Sequence, residues 1–136
     1  MTSPDPTETL HAFMPFAKTF GLTVVTYTAD EVRARLAWDP SICTAGGVLH
    51  GGALMALADN GGGVCAFLNL PEGAVGTATI ESKTNFMRAV REGAVTASSR
   101  PLHVGRTMVV VETELVRDDG KLAAKVTQTQ AFHYPR

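Results

Sequence analysis

The chain has 136 residues, 45% of them hydrophobic, and a formal net charge of -1. This size and composition favour a single globular domain over residues 1–136, with residues 1–6 as a flexible N-terminus. Basic and acidic residues are interspersed, so the sequence lacks the charged patch of a nucleic-acid or anionic-membrane binder, and we expect neither as a partner.

Location and cofactor content are also constrained by the sequence. The first residues, MTSPDPTETL, lack the basic and apolar regions of a signal peptide, and no apolar run approaches the ~20 residues of a membrane span. We therefore expect a soluble, cytoplasmic protein. Cys43 and Cys65 are too few for a disulfide framework, and the four histidines show no metal-ligand spacing, so we expect free thiols, no metal and no cofactor.

The predicted elements begin with helix. Thr7 is placed to cap a short helix, and Pro15 interrupts its apolar stripe, which predicts two short helical pieces. Residues 22–38 then alternate between apolar and polar side chains, with turn residues near Asp30. This pattern predicts a β-hairpin.

The second half begins with a segment from His50 to about Leu68 that is apolar almost all round, which predicts a buried helix. Four strand-like segments follow at 75–89, 94–104, 107–116 and 121–133, joined by short polar turns. In the third of these segments one face can pack on a helix, since alternate residues form two separate faces: Met108, Val110, Glu112, Glu114 and Val116 on one, and Thr107, Val109, Val111, Thr113 and Leu115 on the other. We therefore predict an α+β fold in which an antiparallel sheet curls around one long helix.

Gly51 and Gly52 fall at the start of the long helix. Backbone N–H groups there lack partners within the helix, and the helix dipole is positive. Without side chains, these amides are open to an oxygen that gains negative charge during acyl transfer. The alternative, left open at this point, is that the glycines only allow the loop to turn into the helix.

Asp59 follows His50 by nine residues in this helix. At ~100° and ~1.5 Å per residue, the two side chains lie on opposite faces and ~13 Å apart along the axis. The aspartate and the helix start can share one site only if two subunits place their helices side by side in a symmetric dimer.

Gly61, Gly62 and Gly63 follow Asp59 after one intervening residue, Asn60. Each weakens a helix interior by about 0.5–1 kcal/mol relative to alanine. Three explanations remain open: close packing against another backbone, room for an acyl group beside Asp59, or a local kink.

Three segments of the chain together carry a resemblance to a known family. The segments GGVLHGGALMALADN, ATIESKTNFMRAV and HVGRTMVVVETELVRDDGKLAAKVTQT resemble the hotdog-fold acyl-CoA thioesterases of the PaaI-like group, named for phenylacetic acid degradation. The resemblance runs from about Phe16 to His133. It implies a hotdog fold and hydrolysis of acyl-CoA to a free acid and CoA, in a homodimer with shared active sites and commonly in a tetramer.

The resemblance also implies roles for individual residues. Asp59 attacks the thioester or activates a water, the Gly51 amide of the partner subunit polarises the carbonyl, His50 orients the loop beside that amide, and Thr79 helps to place the water. The H-x-G-R turn lies near the CoA nucleotide in relatives. The substrate-binding and CoA-binding candidates are Gly52, Asn60, Gly63, His103, Gly105 and Arg106, with Arg88 and Arg91 as weaker candidates for the phosphate contact.

One position departs from the pattern. Many members of the group have Asn six residues before the histidine, where this chain has Thr44. Either the Thr44 hydroxyl replaces the amide, or the loop is arranged differently.

Two other functions stay open on the same fold. One is a hydratase or dehydratase, although such enzymes commonly place an Asp and a His together in one site. The other is a non-catalytic acyl-CoA sensor. The aromatic residues Phe13, Phe16, Phe20, Phe67 and Phe86 belong to either the core or an acyl pocket.

Overall fold

The computed structural model describes residues 3–136. The helices are α1 (Pro6–Phe13), α2 (Pro15–Thr19) and α3 (Gly51–Leu68), with a short 3-10 turn at Pro40–Ile42. The strands are β1 (Thr23–Tyr27), β2 (Val32–Ala37), β3 (Gly76–Phe86), β4 (Ala94–Val104), β5 (Met108–Arg117) and β6 (Leu122–His133). The predicted order of two short helices, a hairpin, one long helix and four strands is confirmed.

The strands form one six-stranded antiparallel sheet in the order β1-β2-β4-β5-β6-β3. Helix α3 packs against every strand from β2 to β6. One face of β5 is buried, as predicted, and the structure shows that it is the face of Val109, Val111 and Leu115, which are completely buried. The core therefore lies between the concave face of the sheet and α3.

The position of β3 differs from what the short polar turns suggest. β3 and β4 follow each other in the chain but are not neighbours, since β3 pairs with β6 at the far edge. Residues 87–93 therefore cross between strands that do not pair, and the N–H groups of Met87 and Arg88 donate to the Ala123 carbonyl on the way. The polar residues at 91–93 thus form a crossover, whereas the turns at 105–106 and 118–120 join paired strands.

The N-terminal helix is capped differently from the prediction. Asp5, not Thr7, is the N-cap of α1, because its side chain accepts a hydrogen bond from the Thr7 N–H at 2.8 Å. Pro6 then occupies the first helical turn, where its missing N–H costs nothing. Of the residues expected to be flexible, 1–2 lie outside the described residues, and Asp5 and Pro6 form the start of α1.

Helix α1 is fastened to the outer edge of β1. The Thr7 hydroxyl accepts a hydrogen bond from the Val24 N–H at 2.8 Å, and His11 Nε2 donates to the Leu22 carbonyl at 2.7 Å. An edge strand exposes unpaired backbone groups, and here α1 occupies some of them. The opposite edge, formed by β3, is not paired with any other strand of residues 3–136.

No helix within residues 3–136 combines the length and the apolar character needed to cross a membrane.

Candidate active site

Helix α3 begins with a side-chain cap. His50 is the N-cap residue, and its Nδ1 accepts a hydrogen bond from the Gly52 N–H at 2.8 Å. A Cβ on Gly52 would lie 2.8 Å from the same Nδ1, so a side chain there would displace the ring. The Gly52 amide is therefore occupied within the chain, and the position favours glycine for a packing reason.

The Gly51 amide is available. Within residues 3–136, no group accepts a hydrogen bond from its N–H. The ring of Phe86 lies over this residue, because a Cβ on Gly51 would be 3.1 Å from the ring Cζ atom. An unpaired donor therefore sits at the positive end of an 18-residue helix, which favours a negatively charged oxygen.

The loop before α3 is held by its backbone. The Thr44 N–H donates to the Val48 carbonyl at 2.8 Å, and Gly46 between them has a φ of 80°, a left-handed conformation that favours glycine. Within the described residues the His50 ring is hydrogen-bonded to Gly52 alone, so Thr44 does not bond to His50. A contact of the Thr44 hydroxyl with the substrate carbonyl stays a prediction.

Asp59 is held by a network of polar side chains. Its Oδ1 accepts hydrogen bonds from the Thr79 hydroxyl at 2.9 Å and from Gln128 Nε2 at 3.2 Å. Gln130 Nε2 in turn donates to the Thr79 hydroxyl oxygen at 2.5 Å. Both bonds to Asp59 end on Oδ1, and Oδ2 has no donor among residues 3–136. The network thus orients the carboxylate while one of its oxygens stays free.

Gln128 and Gln130 were not predicted. Both are almost fully buried, with exposed fractions of 0% and 1%. They share the inward face of β6 because side chains two residues apart lie on the same side of a strand. The alternating segment TQTQ was the available signal, since amides on a buried face require hydrogen-bond partners.

The three glycines after Asp59 have two different explanations. A Cβ on Gly61 would lie 2.7 Å from the Ser99 hydroxyl oxygen, and one on Gly62 would lie 1.9 Å from Gln128 Oε1. These two positions allow the helix to approach the sheet closely. A Cβ on Gly63 would meet no atom within 4 Å, so this position leaves open space. The helix continues without interruption to Leu68, which excludes a break at the glycines.

That open space belongs to a cavity of about 340 Å³ beside Asp59. Its walls come from α1, the end of β1, the face of α3 that carries Asp59 and Gly63, and residues 77–79 of β3. The two edge strands of the sheet therefore contribute to one cavity, next to α1. Phe13 and Phe67 also line it.

The other phenylalanines lie elsewhere. Phe20 is buried in the core, and Phe16 stacks on it with ring centroids 4.9 Å apart. Phe86 covers Gly51. Only two of the five aromatic candidates therefore reach the cavity.

Two predicted substrate contacts lie away from the cavity. The Asn60 side chain is 5% exposed, and its Nδ2 donates to the Ala56 carbonyl of the same helix at 2.8 Å. Arg88 Nη1 donates to the Leu122 carbonyl at 2.9 Å. The structure brings neither side chain to Asp59.

The H-x-G-R turn lies at the same level of the sheet as Thr79. Val104 pairs with Val109, Val109 with Gln130, and Gln130 with Thr79. Three strand spacings of ~4.8 Å separate β4 from β3, so the turn is about 14 Å from Thr79 within the sheet. Its His103 and Arg106 side chains are exposed.

The carboxylate and the free amide are far apart within one chain. Gly51 and Asp59 are eight residues apart on a continuous helix, which corresponds to about 12 Å along its axis. One chain therefore does not bring these two groups to the same point.

A curved antiparallel sheet around one long helix defines the hotdog fold. The sequence profile of the thioesterase superfamily matches residues 46–124 of this chain. The match covers more than half of the chain, and the chain belongs to this family.

Individual relatives agree with the assignment. A solved structure of a mutant thioesterase from Pseudomonas aeruginosa superposes with a TM-score of 0.88 at 29% identity, covering 98% of this chain and 97% of that one. The 1,4-dihydroxy-2-naphthoyl-CoA hydrolase of Escherichia coli is 32% identical over 103 residues, which are 76% of this chain and 75% of that enzyme. A curated Pseudomonas aeruginosa relative is 36% identical over 85 residues, which span 62% of this chain and only 59% of the relative.

Proposed function

We propose that this protein is an acyl-CoA thioesterase of the PaaI-like group, which hydrolyses the thioester to a free acid and CoA. The observation that carries the proposal is the oriented carboxylate of Asp59 at the wall of an apolar cavity. The E. coli relative, named as a hydrolase of a CoA thioester, supports the substrate class. A cytoplasmic location remains a prediction from the sequence.

The proposed reaction uses two groups that have no hydrogen-bond partner within residues 3–136, Asp59 Oδ2 and the Gly51 N–H. Asp59 Oδ2 either attacks the thioester carbonyl carbon to give an anhydride, which water then opens, or removes a proton from a water that attacks the same carbon. The carbonyl oxygen gains negative charge in both routes, and the unpaired Gly51 N–H is the donor that stabilises it. The C–S bond then breaks, and CoA leaves as the thiolate.

The supporting side chains have distinct tasks in this proposal. Thr79 donates its proton to Asp59 and accepts from Gln130, and its hydroxyl oxygen keeps one further acceptor site for the water. His50 positions the helix start by capping Gly52. Gly63 leaves room beside the carboxylate.

The turn around Gly105 is the proposed contact for the CoA nucleotide. Arg106 is exposed, and its guanidinium forms no hydrogen bond or ion pair within residues 3–136, so it is free to bind a phosphate. Arg88 is the weaker candidate because its guanidinium already donates to a backbone carbonyl.

We infer that the active site is shared between two subunits of a homodimer. The edge of β3 is unpaired over 11 residues and carries Ile80 and Phe86, which are 60% and 53% exposed. A long exposed edge with apolar side chains favours pairing with a second copy. Met55 and Asp59, one helical turn apart, are exposed on α3 as well. A partner helix in this position would bring its Gly51 to Asp59, and two such dimers would form a tetramer.

The first experiment measures thiol release from a panel of acyl-CoAs with DTNB. Asp59→Asn keeps an acceptor for Thr79 and Gln128 but removes the basic oxygen, so we expect kcat to fall by at least ~100-fold at an unchanged melting temperature. Hydrolysis by this variant at the wild-type rate would refute the catalytic role of Asp59. Binding of acyl-CoA without turnover by the wild type would favour the sensor function.

The second experiment tests the shared site with mixed dimers. Gly51→Pro removes the amide proton at a position where proline fits a helix start, and Gly51→Ala is the control that keeps it. Each homodimer, Asp59→Asn or Gly51→Pro, should be nearly inactive. A purified heterodimer of the two contains one intact site and should recover about half of the wild-type activity. An inactive heterodimer would show that each chain supplies both groups to its own site.

A further inference from the structure

We propose that helix α1 is the wall that selects the acyl group, and that Phe13 is its specificity-determining residue. This inference rests on the proposed hydrolysis of acyl-CoA. It starts from the cavity beside Asp59, to which α1 contributes Leu10 and Phe13.

The cavity is suited to the acyl part of the substrate and not to the nucleotide part. None of the residues that line it is Lys or Arg. The CoA nucleotide carries phosphates, which proteins bind with such cations. Leu10, Phe13, Val64 and Phe67 give the cavity an apolar lining, and Asp59 is the charged group on its wall. The group that fits there is therefore the apolar one attached to the attacked carbonyl.

The position of this wall is set by polar contacts on a neighbouring face of α1. Thr7 and His11 are four residues apart, so they lie on one face, and they bond to the backbone of Val24 in β1 and of Leu22 just before it. This attachment turns Leu10 and Phe13 toward the cavity. Leu10 is 6% exposed and belongs to the core as well, so it forms the fixed part of the wall.

Phe13 forms the adjustable part. Its side chain is 82% exposed although it lines the cavity, which places it at the mouth. Because so much of the ring is exposed, its removal should alter the cavity without weakening the fold. A cavity of about 340 Å³ is near the lower end for ligand sites, so a ring at the mouth limits how large an acyl group is accepted.

The test compares Phe13→Ala with Phe16→Ala as the matched control. Phe16 is another exposed phenylalanine, 60% exposed, in the next helix, but it does not line the cavity. We would measure kcat/KM for butanoyl-, hexanoyl-, octanoyl- and dodecanoyl-CoA. The ratio of dodecanoyl-CoA to butanoyl-CoA should rise by about 10-fold in Phe13→Ala, fall in Phe13→Trp, and change by less than about 2-fold in Phe16→Ala.

A ratio of two kcat/KM values does not depend on the amount of active protein. If Phe13 has only a structural role, its replacement would lower kcat/KM for all the acyl-CoAs equally and leave the ratio unchanged, and that result would overturn the inference. Dissociation constants for the same acyl-CoAs, measured by calorimetry, separate this result from the proposed hydrolysis. If the wild type binds but hydrolyses none of them, hydrolysis is refuted. A changed length preference of binding in Phe13→Ala would then still support the wall, and an unchanged one would refute it.

Discussion

Gly62→Ala is a sharp test of how α3 packs on the sheet. The added Cβ would lie 1.9 Å from Oε1 and 2.4 Å from Cδ of Gln128, so the amide group must move. Gln128 has no exposed surface, so its amide group cannot move out into solvent. Any such movement would first break the hydrogen bond that Gln128 Nε2 donates to Asp59.

The expected cost combines three effects. Overpacking a core costs about 1–3 kcal/mol, and losing the hydrogen bond to a partly solvated carboxylate costs about 1 kcal/mol. Replacing glycine by alanine inside a helix stabilises the helix by about 1 kcal/mol, which offsets part of this loss. We expect the free energy of unfolding to fall by about 1–3 kcal/mol, and the melting temperature by roughly 3–12 °C for a chain of this size.

Gly63→Ala is the control at the next position. Its Cβ would meet no atom within 4 Å, so only the gain in helix propensity remains. This variant should gain about 0.5–1 kcal/mol in stability. Thermal unfolding followed by circular dichroism, and urea unfolding of the same samples, measure both changes. If Gly62→Ala is as stable as Gly63→Ala, close packing does not explain the glycine at position 62.

Three further predictions concern neighbouring residues. Gly61→Ala should lower the melting temperature in the wild type but less in a Ser99→Ala background, because the clashing hydroxyl oxygen at 2.7 Å is then absent; equal losses in both backgrounds would contradict the contact. Burial raises the pKa of the Cys65 thiol to about 11, so at pH 8 it stays protonated, and a Cys43→Ser variant, which lacks the other free thiol, should react with DTNB only after denaturant is added; fast reaction of this variant in the folded state would argue against the burial of Cys65. Thr79→Val should lower kcat by ~10-fold or more through loss of the donor to the carboxylate, whereas Thr77→Val, at a cavity position without such a bond, should change it by less than about 2-fold.

Local patterns predicted most of the elements. The apolar run from His50 to about Leu68 predicts α3, and period-two alternation predicts the strands, because both depend on which faces are buried. The prediction of the α1 cap was wrong by two residues: Asp5 and Thr7 are both good cap residues, Asp5 is the cap, and the Thr7 hydroxyl bonds to Val24 of β1 instead. The pairing of β3 with β6 was not predictable from turns, since neighbouring strands in a sheet need not follow each other in the chain.

The candidate site also has features that the sequence determined and features that it left open. The sequence by itself determined the helix start at Gly51 and the separation from Asp59, because a helix converts residue spacing into angle and distance. It left Thr44 and the glycines after Asp59 with alternatives, since these depend on what lies opposite them.

Only the tertiary structure decided which residues meet Asp59. Thr79 and Gln128 come from two strands, far from Asp59 in sequence, and reach it because β3 pairs with β6 beneath α3. The same packing makes Gly62 a close contact and Gly63 an open position. Sequence spacing sets geometry along one element, whereas contacts between elements depend on how the whole chain buries its apolar faces.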